Sequence, residues 1–297
     1  MLALGWLIFR GKRNFPQLLH LAAAAAVLGG ALAGYGHWRH FQNRRIVTET
    51  PAEQMPEIGK HLIVGWLGFE ETRTLAAKGA IAGVFLTRKD FPLGASSEDI
   101  RRTVDALQTA RRDAGLPSLW VATDQEGGPV AKLSPPLPVQ AALGSLLTDL
   151  DGPEPARAAE IVSRVTAYAD THHFAARLDA SSADLTITDW VPFREISQRT
   201  EAGIMLSHVR LTALDPDHPS SCSRATVKLL REKWGATGLL VTDDFSMSPI
   251  FHGRGGIVSA AEQSRVAGVD LILLSYDAAA VYDLLAANLE KNPPGRR

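Results

Sequence analysis

Two adjacent carboxylates, Asp243 and Asp244, end an apolar run near the C-terminal end of the sequence. The run Leu239–Thr242 is typical of a buried strand, and a glycine precedes it. In a parallel α/β barrel, side chains at the carboxyl ends of strands point into the active site. Asp243 is therefore a candidate nucleophile. Capping of the next helix, which Asp does well, is an equal alternative for either carboxylate.

Other polar motifs stand at comparable places in the chain. An apolar run from Trp120 ends in Asp124 and the segment Gln125-Glu126-Gly127-Gly128, and Asp170-Thr171-His172 follows later. Together with Asp189-Trp190-Val191-Pro192-Phe193-Arg194 and Ile204-Met205-Leu206-Ser207-His208-Val209, these segments resemble glycoside hydrolase family 3. The resemblance is closest to the bacterial β-N-acetylhexosaminidase branch, and it covers roughly Ile58 to Leu289.

The resemblance implies a catalytic triplet of residues. It implies a retaining glycosidase that releases terminal β-linked N-acetylhexosamine, N-acetylglucosamine above all, from glycans such as peptidoglycan fragments. Asp243 would be the nucleophile, and His172 would transfer the proton with Asp170 as its orienting partner. An imidazole with a pKa near 6.5 can give and take a proton near neutral pH, and a neighbouring carboxylate fixes its tautomer. His173 is a competitor for the same role.

The same resemblance implies residues that bind the sugar. Asp124 would accept hydrogen bonds from sugar hydroxyls, Lys132 would stand where the family often has an arginine, and His208 would line the pocket. A strand-end helix cap, a solvated lysine and a satisfied core histidine are the respective structural alternatives. No metal or organic cofactor is implied, and a net charge of −1 gives no reason to expect nucleic acid as a partner.

Strand-like and helix-like runs alternate, which is typical of βαβ units and of an α/β fold. The length of 297 residues allows one barrel of about 250 residues with an appendage. The predicted strands are His61–Leu67, Ile81–Leu86, Leu119–Thr123, Gly203–Leu206, Leu239–Thr242 and Val269–Ser275. The predicted helices are Glu71–Lys78, Ser97–Ala114, Pro155–Tyr168, Thr188–Gln198, Ser223–Trp234, Ser259–Val266 and Ala278–Asn288.

The interval before Asp170 is shorter than the family pattern requires. The family normally has two further strand–helix units there, with a sugar-binding arginine and a Lys-His pair before a Phe-Pro-Gly loop, and the chain has no such sequence. We expect an incomplete (β/α)8 TIM-type barrel of about six strands, open between Asp124 and Gly203. Two alternatives remain: a degenerate, catalytically impaired barrel that binds glycans or acts as a scaffold, and a damaged version of an intact gene.

The N-terminal segment is apolar and uncharged. Asn14 to Trp38 contains no acidic residue, lysine or arginine, and a transmembrane helix needs about 20 such residues. We therefore expect a membrane anchor that forms one continuous helix projecting from the domain. Three cations on each side leave its orientation open. A signal-peptidase site at Ala31-Leu32-Ala33 and a buried Ala-rich helix are alternatives. A membrane anchor and a cleaved signal peptide would both place the enzyme domain on the extracytoplasmic side.

The predicted domain boundaries follow from these segments. Residues 1–43 are the anchor, residues 44–57 a polar linker, residues 58–291 the barrel and residues 292–297 a tail. The lone Cys222 excludes an intrachain disulfide and a cysteine-based zinc site. A hydrophobic content of 45% is sufficient for a globular core.

Overall fold

Ten strands and nine helices alternate along the part of the chain that the structure describes. The structure is a computed structural model, and it describes residues 15–139, 177–251, 255–275 and 278–291. The strands are β1 Leu62–Gly65, β2 Gly83–Phe85, β3 Trp120–Ala122, β4 Gln125–Gly127, β5 Val130–Ala131, β6 Arg177–Leu178, β7 Ile204–Leu206, β8 Arg210–Leu211, β9 Leu240–Thr242 and β10 Ile272–Leu274. The helices are α1 Phe15–Glu49, α2 Phe69–Ala77, α3 Ser97–Asp113, α4 Ser182–Ile187, α5 Val191–Arg199, α6 Arg224–Lys228, α7 Ser248–Phe251, α8 Gly256–Ala267 and α9 Ala278–Lys291.

The six strands that the sequence predicted are β1, β2, β3, β7, β9 and β10. β10, β1, β2 and β3 form one parallel sheet in that order, and β7 pairs in parallel with β9. A parallel bridge between Val241 and Leu271 joins the two groups, and Thr242 N donates to Leu271 O at 3.0 Å. The described strands therefore follow the single order β7, β9, β10, β1, β2, β3. The predicted opening between β3 and β7 contains residues 140–176, which lie outside the described residues, as does the predicted helix Pro155–Tyr168.

Two strand pairs were not predicted. β4 and β5 form an antiparallel hairpin within the Gln125–Ala131 segment, and Gly128 in its turn has a φ of +58°, which suits a residue without a side chain. β6 and β8 form a short parallel pair. Both pairs are only two or three residues long, so an alternation of apolar and polar residues had too few positions to be detected.

The helices differ from the predictions mainly at their ends. Helix α3 begins at Ser97 as predicted and ends one residue early, at Asp113; Ser96 is its N-cap, and Asp99 completes a capping box. The predicted helix Ser223–Trp234 changes type, because α6 passes at Leu229 into a π-helix that ends at Lys233. Such π-helical turns are rare and are found frequently at functional sites.

Both faces of the central strands are covered by apolar side chains. One face of β1, β2 and β10 packs against the helices through the fully buried residues Leu62, Val64, Val84, Ile272 and Leu274. The other face forms a second cluster around Ile63, Phe85, Leu271 and Leu273. Burial on both faces is the arrangement expected of parallel strands in an α/β protein.

A buried arginine ties two strand–helix units together. Arg111, near the end of α3, is 6% exposed and donates from Nε to Pro117 O at 2.8 Å. Its Nη1 donates to Ala76 O and to Ile81 O, each at 3.1 Å. Burial lowers the pKa of this guanidinium below its usual value. The rigid fork of donors thus caps the end of α2 and the entry to β2.

Helix α1 has two parts with different surroundings. Residues 20–39 are exposed throughout, which agrees with the predicted continuous, projecting helix. Within the described residues, no helix combines the length and apolar character needed to cross a bilayer, so the predicted membrane span has no support.

The second part of α1 corrects the predicted boundary at residue 43. Val47 is fully buried, and Asn43 Nδ2 donates to Asp283 Oδ1 at 2.6 Å. Arg44 donates two hydrogen bonds, of 3.1 and 2.9 Å, to Glu71, whose carboxylate also accepts from Tyr282. Residues 44–49 are therefore helical and belong to the packed domain, because these contacts outweigh the polar character that predicted a linker.

Candidate active site

Asp243 lies where β9 ends, between the ends of β7 and β10. Its backbone N donates to Leu206 O at 2.9 Å, which continues the β7–β9 pairing beyond the strand itself. Its side chain is half-buried, and Oδ1 accepts from Asp244 N at 2.8 Å. One bond to Oδ1 holds the carboxylate in a defined rotamer, and the partially exposed side chain remains accessible to a ligand.

Asp244 has a different role from its neighbour. It is only 7% exposed, and its Oδ1 accepts from Ser246 N at 2.9 Å and from Ser275 N at 3.1 Å. Its Oδ2 accepts from the Ser275 hydroxyl. The carboxylate thus joins the turn after β9 to the end of β10. Asp244 therefore has a structural role, although its bonds do not cap helix α7, which begins at Ser248. The role of Asp243 as nucleophile stays a prediction.

A glycine allows this junction to close. A Cβ atom added to Gly65, at the end of β1, would lie 1.8 Å from Ser275 O. Such a distance is far below any van der Waals contact, so only glycine fits here. The close approach of the β1 and β10 ends fixes Ser275, and Ser275 in turn holds Asp244.

Asp124 and Lys132 stand at the same edge of the sheet. Lys132 N donates to Asp124 O at 2.8 Å; the Lys132 side chain is exposed and that of Asp124 half-buried. Burial raises the pKa of the Asp124 carboxyl, the Lys132 ammonium opposes this, and the charges of Asp243 and Asp244 raise it further. The hydroxyl of Thr123 is buried and has no hydrogen-bond partner among the described residues.

His208 lies beneath Asp244 and is 5% exposed. Its Nε2 is 2.9 Å from Asp244 O and its Nδ1 is 2.9 Å from Ser221 Oγ, and its ring lies 5.4 Å from that of Phe245. Burial lowers the pKa of His208, against the opposing effects of the Asp244 carbonyl and of the Asp243 and Asp244 charges. Both ring nitrogens have protein partners. The predicted contact with sugar is therefore corrected to the alternative of a satisfied core histidine.

The serines that organise this edge were not predicted from the sequence. Ser275 is 31 residues from Asp244, and Ser221 is 13 residues from His208. Neither serine belongs to a local motif, so only the folded chain reveals these partners. Asp170, His172 and His173 lie outside the described residues, and their roles stay predictions.

A cavity of about 380 Å3 lies between α5, β7 and the π-helix. Its lining is mainly apolar and includes Trp190, Phe193 and Trp234, but not Asp124 or Asp243. It is therefore separate from the strand-end carboxylates. In the described part of the chain, no group of three or more His, Cys, Asp or Glu side chains is placed to hold a metal ion.

The fold and site define an α/β protein with a parallel, barrel-type sheet and a carboxylate cluster at the carboxyl edge. Residues 163–293 match the family model described as "Glycosyl hydrolase family 3 N terminal domain". This part of the chain is similar to glycoside hydrolase family 3. The chain is similar to a beta-hexosaminidase of Nitrosomonas eutropha, 31% identical over 119 residues, and to one of Tolumonas auensis, 34% identical over 131 residues. These matches cover 40% and 43% of this chain, but only 34% and 38% of the relatives.

Solved structures agree on the fold. A glycoside hydrolase family 3 beta-N-acetylglucosaminidase from Paenibacillus sp. is 21% identical with a TM-score of 0.65, over 79% of this chain and 57% of that one. NagZ from Neisseria gonorrhoeae is 19% identical with a TM-score of 0.60, over 76% of this chain and 84% of that one. The same protein has been solved in complex with N-trifluoroacetyl-D-glucosamine, where the TM-score is 0.58, the identity 19%, and the coverage 78% and 85%. At this level of identity the likeness establishes the fold alone.

Proposed function

We propose that the chain is a retaining glycoside hydrolase that releases terminal β-linked N-acetylglucosamine from glycans such as peptidoglycan fragments. The observation that carries the proposal is the different hydrogen bonding of two neighbouring carboxylates. Asp244 is engaged by three donors, whereas the adjacent Asp243 is held through one oxygen at the end of β9. A carboxylate that is fixed but accessible is what nucleophilic attack on an anomeric carbon requires.

The proposed mechanism assigns a role to each residue of the family motif. Asp243 attacks the anomeric carbon and forms a glycosyl-enzyme, which water then hydrolyses with retention of configuration. His172, oriented by Asp170, gives its proton to the leaving oxygen and later takes one from the attacking water. These two residues are assigned by the resemblance.

Asp124 and Lys132 are proposed to bind the sugar. Asp124 follows β3 at the same carboxyl edge of the sheet where Asp243 follows β9, and the charge of Asp243 contributes to the raised pKa of Asp124. The exposed Lys132 follows Asp124 across the short β4–β5 hairpin, and its ammonium opposes this shift, which supports a place for it near the same ligand. A sugar hydroxyl would donate to Asp124 and accept from Lys132. Charge-assisted bonds of this kind contribute about 1.5–3 kcal/mol each.

The test is hydrolysis of a chromogenic N-acetyl-β-glucosaminide by the purified full chain. Asp243→Asn should abolish turnover with little effect on folding, because the amide keeps the shape but cannot form the glycosyl ester. His172→Ala should slow turnover by about 10²–10⁴-fold, with a smaller loss for substrates that carry good leaving groups. Proton NMR identifies the sugar anomer that is released first, and the β-anomer is expected if the configuration is retained.

Equal hydrolysis by the wild type and by Asp243→Asn would refute the mechanism. A chain that binds N-acetylglucosamine without hydrolysing it would support the alternative of a catalytically impaired glycan-binding barrel. The matching β-glucoside without the N-acetyl group is the control for substrate class. The extracytoplasmic location stays a prediction, and fractionation of cells that carry the tagged chain tests it.

A further inference from the structure

We propose that His208 is a positioning residue that sets the direction of the Asp243 carboxylate by holding the backbone carbonyl of Asp244. This inference rests on the proposed function of Asp243 as the nucleophile. Asp243 is tied to the backbone of Asp244, because the N–H of the Asp243–Asp244 peptide donates to Asp243 Oδ1 at 2.8 Å. Rotation of the backbone at Asp244 therefore moves the carboxylate of Asp243 with it.

The hydrogen-bond partners of His208 determine its tautomer. A backbone carbonyl can only accept, so Nε2, at 2.9 Å from Asp244 O, must carry the proton. Nδ1 then accepts from the Ser221 hydroxyl at 2.9 Å. The burial that lowers the pKa of His208 favours this neutral form. Neutral imidazole with a defined tautomer is thus a directional donor aimed at one carbonyl.

The support beneath His208 is itself fixed. Ser221 is fully buried, its N donates to Ser207 O at 3.1 Å, and its carbonyl accepts from Ser264 Oγ at 2.5 Å. The chain from helix α8 through Ser221 and His208 to Asp244 is therefore continuous. Asp244 closes it from the other side through Ser275. The turn after β9 is therefore held at the Asp244 carbonyl by His208 and at the Asp244 carboxylate by Ser275.

Two substitutions of similar size separate positioning from simple filling of space. In His208→Gln, the side-chain amide N reaches the depth of Nε2 and can still donate to Asp244 O. In His208→Asn, the shorter amide reaches only the depth of Nδ1, so it keeps the Ser221 contact and loses the carbonyl. A misplacement near 1 Å can cost on the order of 10²-fold in rate. We expect kcat to fall about 10–100-fold in His208→Asn, with KM changed less than about threefold, and His208→Gln to recover most of the loss.

A different pattern would overturn the proposal. Equal kcat in the Asn and Gln variants would assign His208 to packing, and a rise in KM without a change in kcat would assign it to substrate contact. NMR of the ring nitrogens in the wild type provides a test that needs neither a folded variant nor activity. A protonated Nε2 with a bare Nδ1 is expected, and the reverse tautomer refutes the proposal. If the wild type has the expected tautomer but does not hydrolyse the glycoside, the proposed function is refuted, whereas the hydrogen bond from His208 to Asp244 stands.

Discussion

Substitution of Asp244 by alanine should mainly lower the stability of the fold, whereas substitution of Asp243 should mainly lower the hydrolytic activity. Asp244→Ala removes the acceptor for Ser246 N, Ser275 N and Ser275 Oγ at a site that is 7% exposed. Buried donors that lose a partner each cost about 1–3 kcal/mol. We expect the free energy of unfolding to fall by about 3–6 kcal/mol, which is a large part of a typical domain stability of about 5–15 kcal/mol.

Asp243→Ala is the matched comparison. The half-buried Asp243 side chain accepts one hydrogen bond, from Asp244 N, so its removal should cost about 1 kcal/mol or less. Asp244→Asn is the second control. Both backbone bonds of Asp244 go to Oδ1, and the carbonyl oxygen of an asparagine can keep them while its amide donates to Ser275 Oγ. This variant should remain folded and hydrolytically active, whereas Asp243→Asn should remain folded and inactive.

Thermal and urea unfolding, followed by the fluorescence of the six tryptophans, measure the stability of each variant. A change of 1 kcal/mol shifts Tm by about 2–4 °C in a chain of this size. Asp244→Ala should therefore unfold at least about 6 °C below the wild type, and Asp243→Ala within about 4 °C of it. If Asp243→Ala were as destabilising as Asp244→Ala, the assignment of the structural role to Asp244 would be wrong.

Three further predictions concern stability. Gly65→Ala should destabilise the fold by about 1–3 kcal/mol and reduce hydrolysis, because the new Cβ would displace Ser275; unfolding and kinetics measure the two effects, and a neutral result would contradict the close approach. Because the pKa of Asp124 is raised in the folded state, the stability that it contributes is fully present below its unfolded value near 3.9 and is lost as the pH rises through the folded value. Asp124→Asn should therefore raise Tm at pH 7 and leave it unchanged at pH 3, and a lower Tm at pH 7 would reverse the sign. Arg111→Lys should lower Tm nearly as much as Arg111→Met, since a single ammonium cannot reach three carbonyls; calorimetry tests this, and full stability of the lysine variant would refute it.

The sequence was sufficient for the order of strands and for the position of Asp243. Long apolar runs that end in polar residues have a local pattern, and the six predicted strands all form. On position alone, either Asp243 or Asp244 could have had the structural role, because the bonds of Asp244 depend on Ser275, a partner that only tertiary contact supplies. Arg111 was not singled out, since a charged residue on an amphipathic helix usually faces water. The end of α1 was misjudged because the polar residues from Arg44 onward predicted a linker, whereas Arg44 pairs with Glu71.

The unbroken course of α1 has a mechanical consequence. Its last turns are fixed to the domain by Asn43 and Val47, and residues 20–39 extend beyond it as one helix. At 1.5 Å per residue the exposed stretch spans about 30 Å. Long helices usually curve with a radius of about 60–100 Å, so a stretch of this length is nearly straight. We therefore expect this stretch to behave as a rigid helix and not as a flexible linker. One inserted residue would turn the domain by about 100° relative to whatever holds the other end, whereas seven would restore its facing to within about 20°.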